Sequence, residues 1–229
     1  MSKQIHFGLI GAGRIGRVHA ETLTFRLPEA KILAVTDIDS EAAQALAAHC
    51  GIPTVTDSAD EILANPAIDA VLICSPTGTH AELIVKAAEA GKHIFCEKPI
   101  AFDLGKIDAA LAAVEAAGVQ LQIGFNRRFD ANFVRVRHAV ESGEIGNCYP
   151  NQAIVSNGST VHRDLPLNFF MERYTESFAL ELKSFTQAVL EGKPTLVTGI
   201  DGRIPVVMAL AARKSYDENR PVRLEEVNA

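Results

Sequence analysis

Near its start the chain reads GLIGAGRIGRVH, residues 8–19, and Gly11, Gly13 and Gly16 within it constrain the fold more than any other feature. They follow an apolar run, IHFGLI, and open a helix-periodic segment, so the G-x-G-x-x-G spacing sits where a strand turns tightly into a helix. Gly11 permits the turn, Gly13 lets backbone approach a pyrophosphate, and Gly16 lets helix and sheet pack closely. The loop Gly11, Ala12, Gly13, Arg14, Ile15 and Gly16 is therefore a candidate phosphate cradle at a helix N-terminus. The next apolar run ends at Asp37, 21 residues past Gly16. A carboxylate there can accept hydrogen bonds from ribose hydroxyls and repel a 2′-phosphate, which favours NAD over NADP. The plainer alternative, a Gly-rich turn in an ordinary α/β protein, requires strand, helix and acid to fall in register by accident.

The alternation of short apolar runs with helix-periodic segments continues to about residue 124. IHFGLIG, KILAVTD, AVLICSP, HIFCEKP and VQLQIGF read as strands covered on both faces. Helices are predicted near 14–25, 40–49, 59–64, 79–90 and 103–117, several entered through Ser, Thr or Asp and several ending at Gly. The pattern specifies an α/β fold: a right-handed, doubly wound parallel sheet of Rossmann type over residues 1–124. Residues 125–229 form a reduced, mainly helical C-terminal part. Within it an amphipathic helix runs from near Asp130 to about Gly143, and a strong helix ends at Gly192. Another lies within DGRIPVVMALAARKSYDENRP. Residues 147–168 are polar and turn-rich, with at most a short strand at Gln152 to Val155.

Composition narrows the function classes. The formal charge is −6 and Lys and Arg do not cluster, whereas a nucleic-acid binder concentrates a basic face against phosphate. The four cysteines, Cys50, Cys74, Cys96 and Cys148, stand far apart without a C-x-x-C pair, which suits reduced, buried thiols. No apolar run approaches the ~20 residues of a membrane span, and the start of the chain lacks the apolar region of a signal peptide. A soluble, cytoplasmic protein with no nucleic-acid or membrane partner is expected.

Two further stretches carry candidate chemistry. In SPTGTHAELIVKAAEAG the fourth expected strand ends in small and hydroxylated residues. Ligands of open parallel sheets lie outside the carboxyl ends of the strands, which places Ser75, Pro76, Thr77 and His80 at the cofactor cleft. The alternative makes Thr79 an N-cap and His80 a solvated first-turn residue. In HIFCEKPIAF, Glu97, Lys98 and Pro99 end the next strand on the same rim. A lysine there faces the nicotinamide end of a bound NAD. Partial desolvation beside the positive ring would lower its pKa and suit it to proton transfer. The alternative is a surface ion couple between Lys98 and Glu97.

Together GLIGAGRIGRVH, Asp37, CSPTGTHAELIVKAAEAGKHIFCEKPIA and QIGFNRRFD resemble the glucose-fructose oxidoreductase and inositol dehydrogenase family, its inositol 2-dehydrogenase branch in particular. The resemblance runs to about residue 146 and resumes from LPLNFFMERYTESFALELKSF to ENRPVRL, which is similar to the family's closing helices and final strand. It implies NAD as cofactor, bordered by Glu97, Lys98 and Asn126, and oxidation of a cyclitol or sugar hydroxyl with Lys98 as the catalytic lysine. Family members also carry a large, mostly antiparallel sheet between the two matching pieces. A G-G-x-x-x-D-x-x-x-H helix there completes the active site, and this chain has no such motif. His162 and Asp164 have the wrong order and spacing to replace it, and His138 lies on the helix after the nucleotide domain. Arg127 and Arg128 suit an anionic or polyhydroxylated ligand, or are simply solvated. Two readings follow: a dehydrogenase with an improvised substrate site and impaired or no turnover, or an NAD-binding scaffold that does not catalyse. Without the family's sheet interface, a monomer or a dimer through other surfaces is expected, for example one exchanging the helix around Phe169, Phe170 and Phe178.

Overall fold

The structure is a computed structural model and describes residues 4–143 and 174–228. The expected short strand at 152–155, His162, Asp164, Phe169, Phe170 and Cys148 lie outside the described residues. Strands β1 (Ile5–Ile10), β2 (Ala30–Thr36), β3 (Thr54–Val55), β4 (Ala70–Ile73), β5 (His93–Cys96) and β6 (Leu121–Ile123) form one sheet. Its order is β3-β2-β1-β4-β5-β6, and every pairing is parallel. This is the doubly wound order: the chain steps outward from β1 to β3, crosses back to β4 and steps the other way, which leaves the switch point between β1 and β4. The two-residue edge strand β3 was not anticipated; both of its residues are exposed, so no apolar signal marks it.

Helices α1 (Arg14–Arg26), α2 (Ser40–Cys50), α3 (Ala59–Ala64), α4 (His80–Glu89) and α5 (Leu104–Ala117) connect the strands. Capping chemistry sets their limits. Asp39 accepts from the N–H groups of Glu41 and Ala42 at the start of α2, and Asp103 accepts from that of Lys106 at the start of α5. Gly51 and Gly118 end the same helices in the left-handed conformation. Side chains alternate across the sheet, so Phe7 and Leu9 enter the core under α1 and α2 while Ile10 joins the core under α3, α4 and α5.

The C-terminal helices pack onto this sandwich. Helix α7 (Thr175–Glu191) lies against α1 and drives Phe185 between Phe7 and Phe95, with ring centroids 6.2 and 5.8 Å away. Helix α8 (Gly199–Glu218) lies against α5 and β6, where Arg203 grips Asp108 through Nε and Nη2 at 2.5 and 3.0 Å. Phe178 is buried within its own chain, edge-on to His19.

Two expectations change. Helix α6 (Ala131–Glu141) forms where its pattern placed it, capped by Asp130, but of its residues only Ala139 is buried. Phe133, Val134, Val136 and Val140 face outward among the described residues. Among the described residues the expected final strand does not form: Leu224–Glu226 is a single 3-10 turn following Pro221, held by Arg220 and the N–H of Arg223 on Glu226.

Candidate functional site

Backbone bonds that continue the strand ladders past their ends fix the carboxyl rim of the sheet. The N–H of Gly11 donates to Thr36 O, that of Cys74 to Ile10 O, that of Glu97 to Ile73 O and that of Gly124 to Cys96 O, at 2.8, 2.8, 3.0 and 2.9 Å. The residues picked from sequence stand on this rim. Gly11 adopts φ +107°, and a Cβ on it would lie 2.6 Å from the carbonyl carbon of Cys74. A Cβ on Gly16 would lie 1.9 Å from Gly11 O, so helix α1 approaches the turn only because both residues are glycine. Gly13, which caps α1, differs: nothing stands within 4 Å of its missing Cβ. Open space there, beside helix-terminal N–H groups, is where an anion would sit.

Asp37 ends β2 beside this loop. Its Oδ2 accepts the Ala12 N–H at 2.6 Å and its Oδ1 accepts the Asp39 N–H at 2.9 Å, which leaves each oxygen a further lone pair. Asp37 and the fully exposed Ile38 border a cavity of about 380 Å³ that reaches Gly11, Ser75, Pro76 and Thr79. A larger cavity of about 720 Å³ opens on the other side of the β4 end. Gly13, Arg14 and Ile15 line it from the loop, and Ser75, Pro76, Thr77 and His80 from the β4 rim. Glu97, Lys98 and Asn126 line it from β5 and β6, and Arg127, Tyr174 and Phe178 close one flank. Its size suits a small-molecule ligand.

The local alternatives for His80 and Glu97 do not hold. His80 is buried at 1% exposure, with Nδ1 2.8 Å from Pro99 O and Nε2 2.7 Å from Ser75 O, so it ties two rim loops together instead of meeting solvent. Thr79 does stand at the N-cap of α4, but its side chain makes no capping bond; its hydroxyl donates to Pro76 O and meets that of Ser75. Glu97 is not the surface partner of Lys98. It is 7% exposed, its Oε1 accepts from His19 Nε2 at 2.8 Å, and its Oε2 accepts the backbone N–H of Lys98 at 3.3 Å. The Lys98 side chain is exposed, so the desolvation expected around it is not supplied by the protein alone. A cis peptide joins it to Pro99. Arg128 pairs with Asp201 at 2.9 Å, and Arg127 stacks over Phe133 and Tyr174. His138 is exposed on α6 and does not border the large cavity.

Sequence reasoning missed His19 and Glu181. His19 is wholly buried on α1 with Gly16, Ala20 and Leu23, and that i, i+3, i+4, i+7 spacing marked it as a polar residue on a core-facing stripe. Glu181 is wholly buried on α7, where burial first and the charge of Glu97 second push its carboxyl well above the usual range. Burial likewise raises the Cys74 and Cys96 thiols. Cys50, Cys74 and Cys96 are free and buried, as their spacing suggested.

Residues 5–125 match an oxidoreductase family described by its NAD-binding Rossmann fold, GFO_IDH_MocA. An uncharacterized oxidoreductase of Bacillus subtilis, YrbE, is 36% identical over 98% of this chain and 77% of its own length. A myo-inositol 2-dehydrogenase of Thermotoga maritima is 28% identical across 333 aligned positions that cover 97% of this chain and 99% of that protein. Since this chain has 229 residues, many of those positions face a gap in it. The crystal structure of a probable dehydrogenase from Thermotoga maritima superposes with a TM-score of 0.87 at 26% identity, covering 97% of this chain and all of that one.

Proposed function

The chain belongs to the GFO_IDH_MocA oxidoreductase family, and from that premise we propose an NAD-dependent oxidoreductase of inositol 2-dehydrogenase type whose cofactor half is complete and whose turnover is impaired or lost. The carrying observation is the contrast between the two sides of the large cavity. On the sheet side a dinucleotide site is supported by the space at Gly13, the free lone pairs on Asp37, and two cavities meeting at Ser75 and Pro76. These residues fit NAD. Asp37 would hold the adenosine ribose, the N–H groups opening α1 would hold the diphosphate, and Asn126 with Ser75 and Thr77 would border the nicotinamide.

When bound, NAD supplies the hydride acceptor. The chain itself must then position a hydroxyl and take its proton, and Lys98 Nζ stands at the rim where that proton would be moved. A positioned acid–base partner contributes typically ~10²- to 10⁴-fold. Among the described residues no aspartate lines the large cavity. Its one histidine, His80, faces a carbonyl with each ring nitrogen. The gapped alignment with the Thermotoga maritima relative supports the same reading, since many residues of that protein have no counterpart in this chain. A cyclitol or sugar alcohol is the substrate class by kinship alone. The absence of a D-x-x-x-H helix favours a second reading, an NAD-binding scaffold without catalysis.

Calorimetric titration of the unaltered chain tests the cofactor half. NAD is expected to bind at one site and more tightly than NADP. No binding, or equal binding of NADP, overturns the proposal.

A further inference from the structure

Beneath the Lys98 rim lies a buried polar cluster that the roles above do not use. The Glu97 carboxylate borders the large cavity and is held from two directions, by His19 Nε2 at 2.8 Å and by the Lys98 N–H at 3.3 Å. Gly124 makes room for it: a Cβ there would lie 3.0 Å from the carboxylate. A carboxylate only accepts, so the His19 ring donates through Nε2. That ring is itself clamped edge-on by Phe95 and Phe178, with centroids 5.1 and 5.7 Å away, and its Nδ1 is buried without a partner among the described residues. Both carboxyl oxygens of Glu181 are likewise buried and unpartnered among the described residues. Two acids in one low-dielectric region cannot both ionise cheaply. Two donors are aimed at Glu97 and none at Glu181 among the described residues, and burial first, then the charge of Glu97, push the Glu181 carboxyl well above the usual range.

The geometry points to Glu97, positioned by His19, as the anionic group that makes this cleft prefer the oxidised, cationic form of a nicotinamide over a neutral ring. This rests on the NAD reading and adds a specificity to it. With the adenosine at Asp37 and the diphosphate at the Gly13 turn, the other end of the dinucleotide lies over the β4–β5 rim, where Glu97 stands. A carboxylate in a walled cleft lowers the energy of a ring bearing +1, and that term vanishes once the ring gains a hydride. The Lys98 ammonium opposes it, but from an exposed position where water and salt screen it.

The test compares dissociation constants of NAD and of benzamide adenine dinucleotide, whose ring is planar but uncharged. In the unaltered chain NAD is expected to bind roughly tenfold more tightly, the effect of one unit charge a few ångström away in a partly wetted cleft. Glu97→Gln keeps an acceptor for His19 and is expected to remove that preference. His19→Leu should reduce it, and His19→Gln, which retains a donor, should restore most of it. Equal binding of the two dinucleotides by the unaltered chain, or an unchanged ratio in Glu97→Gln, overturns the inference. If neither dinucleotide binds, the NAD reading fails instead.

Discussion

At the scale of single residues, Asp37 has a structural task beside the ribose contact proposed for it. Its oxygens already hold the Ala12 and Asp39 N–H groups, so it shapes the glycine loop. Asp37→Ala should therefore weaken NAD by about tenfold or more, the order lost with a charged hydrogen bond, and bring the NAD and NADP constants together. Calorimetry with both dinucleotides checks this. Glu181 yields a stability prediction. Its folded-state pKa is raised above the ~4.3 of an unfolded chain, so above that pH the folded state binds more protons than the unfolded one and loses stability as pH rises. The groups coupled to it, Glu97 and Cys74, remain in Glu181→Gln, and comparing the two proteins isolates the one carboxyl. Urea unfolding should show the variant gaining at least about 1 kcal/mol relative to the unaltered chain between pH 4 and pH 7. A constant difference across that range would mean that Glu181 ionises normally. Gly11, Gly16, Asp37 and Lys98 were legible in the sequence because each occupies a fixed offset from a strand end. Glu97 was legible as a rim residue but not as a buried one, because its partner His19 is 78 positions away.

At the scale of elements, the sandwich was readable almost to the residue because caps and strand runs agree. Asp39, Asp103 and Asp130 start helices and Gly51, Gly118 and Gly192 end them. What was not readable is which surfaces the C-terminal helices meet, since long-range packing leaves no local period. Helix α6 has the pattern of a packed helix and yet exposes Phe133, Val134 and Val136. Helix α7 instead supplies a core residue to the nucleotide-binding sheet. Phe185 is wholly buried between Phe7 and Phe95, so Phe185→Ala should cost about 3–5 kcal/mol by chemical denaturation. A loss below about 1 kcal/mol would show that α7 is an appendage and not part of the domain.

At the scale of the molecule, the cleft proposed for the dinucleotide faces a side where, among the described residues, no aspartate stands with Lys98 and the one histidine is turned onto two carbonyls. The relation to the Thermotoga maritima protein covers 97% of this chain, yet many residues of that protein have no counterpart in it. Binding and chemistry should thus separate, with tight NAD and negligible hydride transfer. The decisive measurement is the rate of reduced nicotinamide formation by the unaltered chain, saturated with NAD, against a panel of inositols and sugars, beside Lys98→Ala. Both proteins are expected to stay near background while both bind NAD. Sustained turnover of myo-inositol by the unaltered chain, abolished by Lys98→Ala, would contradict it and establish a working enzyme with a substrate wall of its own.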